Sequence, residues 1–410
     1  MTPRINDQGN SWSKMETLYT ILAVAACVLL FSFAIFIHEF GHFVVAKLLG
    51  FKVDAFSIGF GPALWKKKFR GVEYRISAIP FGGYVALPQL DPAGTKALEG
   101  PKDKDSDEEN VQRNPATPLR RIAVAFAGPF GNIVLAVVLA FLLAAAPGAR
   151  FGELPAEVGD VLRGGPAEKG GMKAGDRVVS VNGRLVGSWT DMQNEVQIAG
   201  TSPAKFVVER DGKTETLTIT PRRDKVTEMC FIAAERRTNE LVMAAAWMPV
   251  RNPLRQLAWD AGQIARVLKA LCTPSESRAA AKSLGGPVMI AEVLYKQVRR
   301  NGWDALGFLR FLNINLAMLN LLPLPVLDGG LIFLALFELI FRRRPPKKIV
   351  DGLSIAFMWL LLSLMIFLVF RDVGRSRRIH RAMDEMERRE KQEMQAMEQI
   401  KNFKPAFETR

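Results

Sequence analysis

His38, Glu39 and His42 make an H-E-x-x-H pattern. On a helix the two histidines fall at i and i+4, about a turn apart on one face, so both imidazoles can ligate one metal ion. Glu39 then lies beside them, within reach of a water at that ion. Two structural histidines and a surface glutamate would give the same five letters, but three observations speak for the metal. The chain has 3 histidines, and two of them stand in the motif. The motif closes an apolar run, residues 17–37, where ionisable groups are costly to keep and usually functional. A carboxylate stands in a second apolar stretch, residues 320–330 (NLLPLPVLDGG), and this Asp328 is the natural third ligand. Catalytic zinc needs three protein ligands and an open position for water, which two histidines and one carboxylate provide. Zinc also suits nitrogen and oxygen donors in this number. With a peptide carbonyl polarised there, Glu39 is placed to take a proton from the attacking water and pass it to the leaving amine.

These residues need elements that hold them in a membrane. Four uncharged stretches, 17–37, 122–149, 311–327 and 353–370, are each long enough, alone or slightly extended, to cross roughly 30 Å of hydrocarbon as a helix. The first is too long for a secretory signal and no small-residue cleavage site follows it. The expected architecture is a polytopic α-helical membrane protein with about four transmembrane helices, at 15–50, 119–149, 303–341 and 353–371. In the third, Pro323 and Pro325 break the helix and free backbone groups that lipid cannot satisfy, so this segment belongs against protein or a wet cavity. Asn315 and Asn320 on it are candidates to hydrogen-bond a substrate backbone or oxyanion. In the second span, Gly128, Pro129, Gly131 and Asn132 allow close helix approach, and a packing face is a sufficient account of them.

Between the spans the composition changes. Residues 51–90 read as short strands rich in glycine and aromatics, a membrane-associated β-hairpin region, and 91–118 as a flexible, acidic cytoplasmic loop. Residues 150–223 read as a small α/β domain: Asn182-Gly183 and Asp211-Gly212 supply turns, and alternating valines from Val178 give a half-buried strand. This pattern resembles a bacterial PDZ domain. Residues 224–302 read as a linker with amphipathic helices. Residues 254–271 have the spacing of a helix lying on the membrane surface, with a core helix as the competing view. The charged tail 372–410 carries a second amphipathic pattern, suited to a coiled coil, to lipid or to loose order.

The net charge of +14 does not indicate nucleic acid, because the cations cluster beside the apolar runs and form no recognised binding motif. Lys66, Lys67, Lys68 and Arg70 follow the first run, and Arg342, Arg343, Arg344, Lys347 and Lys348 separate the last two. A positive-inside reading places both clusters in the cytoplasm and the α/β domain outside; the arginines after residue 370 resist it. The 3 cysteines match no disulfide or zinc spacing.

HEFGH, GPFGN, the PDZ-like segment, LGGPVMIAE and NLLPLPVLDGG occur in the order found in site-2 proteases. From about Met15 to Phe370 the chain resembles the bacterial regulator-of-sigma-E protease group. The resemblance implies an intramembrane zinc metalloprotease of the bacterial inner membrane, with the PDZ-like domain extracytoplasmic. Its partners would be lipid and single-span proteins already cleaved by another protease, such as anti-sigma factors. It implies His38, His42 and Asp328 as zinc ligands, Glu39 as the catalytic group, and Asn315 and Asn320 near the substrate. It also implies that the strands after the metal helix clamp an unwound substrate by edge pairing, with Phe56, Ile58, Phe60, Tyr74 and Ile76 as candidates. Residues 224–250 would be a remainder of a second PDZ unit. The alternative is a PDZ-bearing membrane scaffold with an inactive metal cluster.

Overall fold

The computed structural model describes residues 6–88, 90, 116–146, 155–236 and 252–402. Nearly all of the expected flexible loop 91–118, residues 237–251 of the expected linker and the last residues of the tail lie outside these. From the N-terminus run α1 (Asn6–Leu48), the long strands β1 (Ala55–Phe69) and β2 (Val72–Ala86), and α2 (Pro118–Ala145). An α/β segment follows: β3 (Val158–Val161), α3 (Pro166–Lys169), β4 (Arg177–Val181), β5 (Arg184–Leu185), α4 (Trp189–Ala199), β6 (Ala204–Arg210) and β7 (Lys213–Ile219). It closes with β8 (Arg222–Arg223), β9 (Cys230–Phe231) and β10 (Ala234–Arg236). The remaining helices are α5 (Pro253–Cys272), α6 (Pro274–Ser283), α7 (Pro287–Arg300), α8 (Gly302–Asn320), α9 (Asp328–Phe341) and α10 (Lys347–Asn402). Two compact units form: Met1–Glu153 with Met243–Lys269 and Ala291–Ser363, and Leu154–Val242 with Ala270–Ile290 and Leu364–Arg410.

In the first unit α2 packs against α1, α8 and α9. Ala34 of α1, Leu139 of α2 and Leu309 of α8 meet at one cluster. Outward-facing positions stay apolar, with Ile21, Leu29, Val138, Phe141, Phe333 and Ile340 exposed. Such a surface suits lipid. Among the described residues, three helices are long and apolar enough to cross a membrane: Met15–Leu48, Pro118–Ala145 and Lys348–Gln395. The stretch expected as one span at 303–341 is two helices: α8 ends at Asn320 and α9 starts at Asp328. Pro323 and Pro325 account for the break, since each lacks an N–H and disfavours a helical predecessor. The turn between them satisfies part of its own backbone, with Leu324 N–H donating to Leu322 O (2.7 Å) and Leu327 N–H to Leu324 O (3.0 Å).

The strands after α1 are longer than expected and fold back on themselves. Ala55, Phe56, Ser57 and Ile58 pair with Ala86, Val85, Tyr84 and Gly83 on one side, and with Glu73, Tyr74, Arg75 and Ile76 on the other. Residues 73–76 pair in turn with 65–68 through Trp65↔Ile76 and Lys68↔Glu73. Four segments therefore lie side by side, and the outer ones are 83–86 and 65–68. Phe36 and Phe43, on one face of α1, hold this sheet: their rings stand 6.0 and 5.3 Å from Phe56.

Residues 254–271 are helical as expected, within α5, but their apolar stripe is used by protein. Leu257, Ala261, Ile264 and Leu268 pack with Ala136 of α2 and Ile314 of α8. On the same helix Asp260 is fully buried and takes Arg310 Nε of α8 at 2.7 Å, while Gln256 accepts a second guanidinium bond. A helix lying free on lipid would leave these groups facing water. Spacing alone does not separate the two situations, because protein and hydrocarbon ask for the same stripe.

The second unit centres on the sheet β5-β4-β6-β7, with α4 against its core of Val178, Met192, Val196, Phe206, Val208 and Ile219. Cys230 and Ile232 belong to the same core, and β10 pairs with β3. Residues 224–236 therefore complete this domain, which extends past the expected limit at 223. A tight turn makes this possible: the backbone N–H of Thr227 leads the donors to the Asp224 carboxylate and holds its carboxyl below the usual range. The tail is continuous helix as far as Asn402. Its first turn docks on the LGGP stretch, where Asp372 Oδ2 accepts from Met289 N–H (3.0 Å) and Arg371 donates to the carbonyl of Ala281 (3.3 Å). A Cβ at Gly286 would stand 2.7 Å from Asp372 Oδ2.

The Asp260–Arg310 pair gives one expectation for stability. Removing one partner strands a buried charge, which costs about 3–5 kcal/mol. Asp260→Ala should therefore lower the unfolding midpoint of the chain in detergent micelles clearly. An unchanged midpoint would contradict the burial of this pair.

Candidate metal centre

His38 and His42 project from one face of α1, their rings 4.8 Å apart and nearly perpendicular (84°). Asp328 is the first residue of α9, delivered by the proline-broken turn. Three distances define the site. His38 Nε2 and His42 Nε2 are 3.2 Å apart, Asp328 Oδ2 is 3.2 Å from His38 Nε2, and Asp328 Oδ1 is 3.4 Å from His42 Nε2. Ligands bound tetrahedrally at roughly 2.0–2.1 Å stand about 3.3 Å from one another, so the triangle has the size that zinc requires.

The protonation pattern agrees. His42 Nδ1–H donates to the carbonyl of Val124 on α2 at 2.7 Å. A carbonyl can only accept, so in the neutral ring Nε2 carries a lone pair turned to Asp328. Asp328 Oδ2 is buried and makes no hydrogen bond, despite its 3.2 Å approach to His38. On the other histidine, Nδ1 lies 3.2 Å from the amide of Asn132 of α2, a fully buried residue whose Oδ1 has no partner as placed. Half a turn of that amide lets its oxygen accept Nδ1–H of His38 and leaves the second Nε2 as a lone pair. Three acceptors then converge on one point, as a cation demands.

Helix α2 shapes the pocket by what it lacks. A Cβ at Gly128 would lie 2.2 Å from His42 Nε2 and 2.6 Å from Cε1, so any side chain there would push the imidazole away. At Gly41 a Cβ would meet the carbonyl oxygen of Ala127 at 2.2 Å, so α1 and α2 approach this closely through glycine. Pro129, one residue beyond Gly128, cannot donate to the Ala125 carbonyl, which neighbours the Val124 carbonyl that accepts from His42. The glycines after Asp328 act likewise. A Cβ at Gly329 would be 2.2 Å from Leu322 O, and one at Gly330 2.2 Å from Leu324 O, so the start of α9 rests directly on the broken turn.

Glu39 stands beside the triangle and against the sheet. A Cβ at Gly83 would come within 3.0 Å of its Cγ, and its carboxylate faces the backbone N–H of Val85. The structure thus gathers His38, His42 and Asp328, with Glu39 next to them. The remaining candidates are placed differently. Asn315 and Asn320 are half-buried on α8. Phe56, Ile58, Tyr74 and Ile76 lie in the two inner segments of the sheet, paired on both sides, and so are not strand edges. Phe56 is buried, and Phe60 stacks on Tyr84 (6.5 Å). The outer segment next to Glu39 is 83–86. Asn132, Gly128 and the Val124 carbonyl were not singled out for the site from sequence. Their one signal was the GPFGN cluster, which packing explains equally well.

A family model described as peptidase family M50 matches residues 26–364. A protein of Campylobacter jejuni named as a candidate zinc metalloprotease is 30% identical over 357 residues, covering 85% of this chain and 93% of its own length. A similarly named protein of Rickettsia conorii is 30% identical over 365 residues, covering 86% of this chain and 99% of that one. Metalloprotease MmpA of Caulobacter vibrioides is 27% identical over 391 residues, covering 87% and 96%. Together with the metal-sized triangle of His38, His42 and Asp328, these matches establish that the chain belongs to peptidase family M50, the site-2-type zinc metalloproteases.

Proposed function

We propose that this protein cleaves single-span membrane proteins within the membrane, after another protease has trimmed them. His38, His42 and Asp328 hold the zinc, and Glu39 is the general base and acid. The observation that carries this is the triangle of acceptors, 3.2–3.4 Å on each edge, built between helices whose outer faces are apolar. α8 and α9 together count as the third of four spans, α10 as the fourth. The α/β unit is a PDZ-like domain on the extracytoplasmic side of the bacterial inner membrane, where it limits entry to trimmed substrates. Its four-stranded sheet with one packed helix supports that assignment.

Zinc, when bound, supplies Lewis acidity toward a water molecule and the scissile carbonyl. The chain's own residues do the rest. The Val124 carbonyl and Asn132 keep each histidine turned with Nε2 inward. Gly128 leaves room for the His42 ring. Glu39 takes a proton from the attacking water and returns it to the departing amine. A helical substrate hides its peptide bonds, so it must be extended before attack. The 83–86 edge is the segment that can pair with it beside Glu39.

Two expectations follow from this arrangement. Glu39→Gln keeps the ligands and removes the base, so purified protein in liposomes should retain its zinc and lose cleavage of a trimmed single-span reporter by about 100-fold or more. Equal cleavage by both proteins would reject the mechanism. Gly128→Ala should weaken zinc binding about 10–100-fold through displacement of His42, the range seen when groups that orient metal ligands are lost. Unchanged zinc affinity in a chelator competition would show that the ring does not depend on that contact.

A further inference from the structure

The metal site draws His38 and His42 from α1 and Asp328 from α9, and α2 lies against both helices. Near the other end of α9, Glu338 makes an ion pair with Arg121 of α2 through its Oε2. Its Oε1 accepts from Arg344 Nε at 2.8 Å. Arg121 and Glu338 are largely buried, at 19% and 15% side-chain exposure, so salt screens them little. Arg344 is 57% exposed and is the weaker partner. Neither Arg121 nor Glu338 touches the metal ligands.

Their spacing along the helices is what matters. At 1.5 Å per residue, about 15 Å of helix separates Asp328 from Glu338, and about 4–17 Å separates Arg121 from Val124, Gly128 and Asn132, the α2 residues against the two histidines. Helix α9 is therefore held at two heights, by Arg121 of α2 at one and by the histidines of α1 at the other. Apolar contacts between straight helices tolerate sliding, because one leucine-sized ridge replaces another. A charged pair in a largely buried place does not, since displacement leaves both charges unsolvated. Arg121 Nε is also buried without a partner, so this guanidinium is committed to Glu338.

We infer that the Arg121–Glu338 pair is the register pin of α9 on α2, and that it sets where the Asp328 carboxylate meets the two imidazoles. Both are positioning residues: they act on zinc only through the placement of Asp328. This inference rests on His38, His42 and Asp328 being the zinc ligands.

The test is a double-mutant cycle read by zinc affinity, with the full chain in detergent micelles, stripped by chelator and titrated with zinc against a competing dye. Wild type, Arg121→Gln, Glu338→Gln and the double variant are compared with Leu139→Ala. That control opens a cavity in the cluster shared by α1, α2 and α8 without touching the pair. Each single variant should bind zinc about tenfold more weakly. The double variant should bind no more weakly than the worse single, because the two side chains act as one unit. Leu139→Ala should lower the melting temperature yet keep zinc affinity within about twofold of wild type, as independent sites do. Single variants indistinguishable from wild type, losses that multiply in the double variant, or an equal loss in Leu139→Ala would each overturn the inference. A wild type that takes up no zinc would instead overturn the metal-site reading, and the pin with it.

Discussion

Lone pairs that face one another repel, and the organisation of this protein follows from the need to hold three of them together. Two imidazole nitrogens and the two oxygens of one carboxylate stand at 3.2–3.4 Å, and Asp328 Oδ2 accepts no hydrogen bond to relieve the contact. Without a cation between them such a cluster would spread apart. The surrounding helices oppose that spreading in separate ways. The Val124 carbonyl fixes the tautomer of His42, the Gly128 backbone closes the space behind its ring, and the turn before Asp328 is anchored by glycines too close to another backbone to carry a side chain. Each device is a backbone feature of a packed helix.

The same constraint explains why the third apolar stretch is broken. Pro323 and Pro325 stop α8, and α9 begins with Asp328 itself. Non-helical backbone at this depth is tolerated only where protein or a polar cavity satisfies it. The turn's own hydrogen bonds and its seat against the two glycines meet part of that demand. The buried Asp260–Arg310 pair is a second polar feature of the same unit, and it holds α5 on α8.

Much of this was legible in the sequence, and what was not has identifiable causes. The i, i+4 histidines and Asp328 could be read because metal chemistry limits both residue type and number. The apolar runs could be read because hydrocarbon thickness sets their length. The strands of the α/β domain are visible through their turns, but the domain's last strand is not, since β10 is three residues long and pairs with the distant β3. The strand edges were misplaced because β1 and β2 each bend back across the other, and pairing on both sides leaves no mark in local alternation. Asn132 reads as a packing residue in the sequence because one buried amide looks like any other small polar group until its partner is known. Helix α5 showed its amphipathic face clearly, but an apolar stripe does not say whether lipid or protein covers it.

The role of His38, His42 and Asp328 depends on zinc occupying the space between α1 and α9. Zinc K-edge X-ray absorption on the purified chain is the most direct measurement of that. The expected spectrum has a low coordination number near four, with two imidazole nitrogens and carboxylate or water oxygens at roughly 2.0–2.1 Å. One imidazole shell should vanish in His42→Ala. A spectrum with sulfur ligands near 2.3 Å, or one that His42→Ala leaves unaltered, would contradict it.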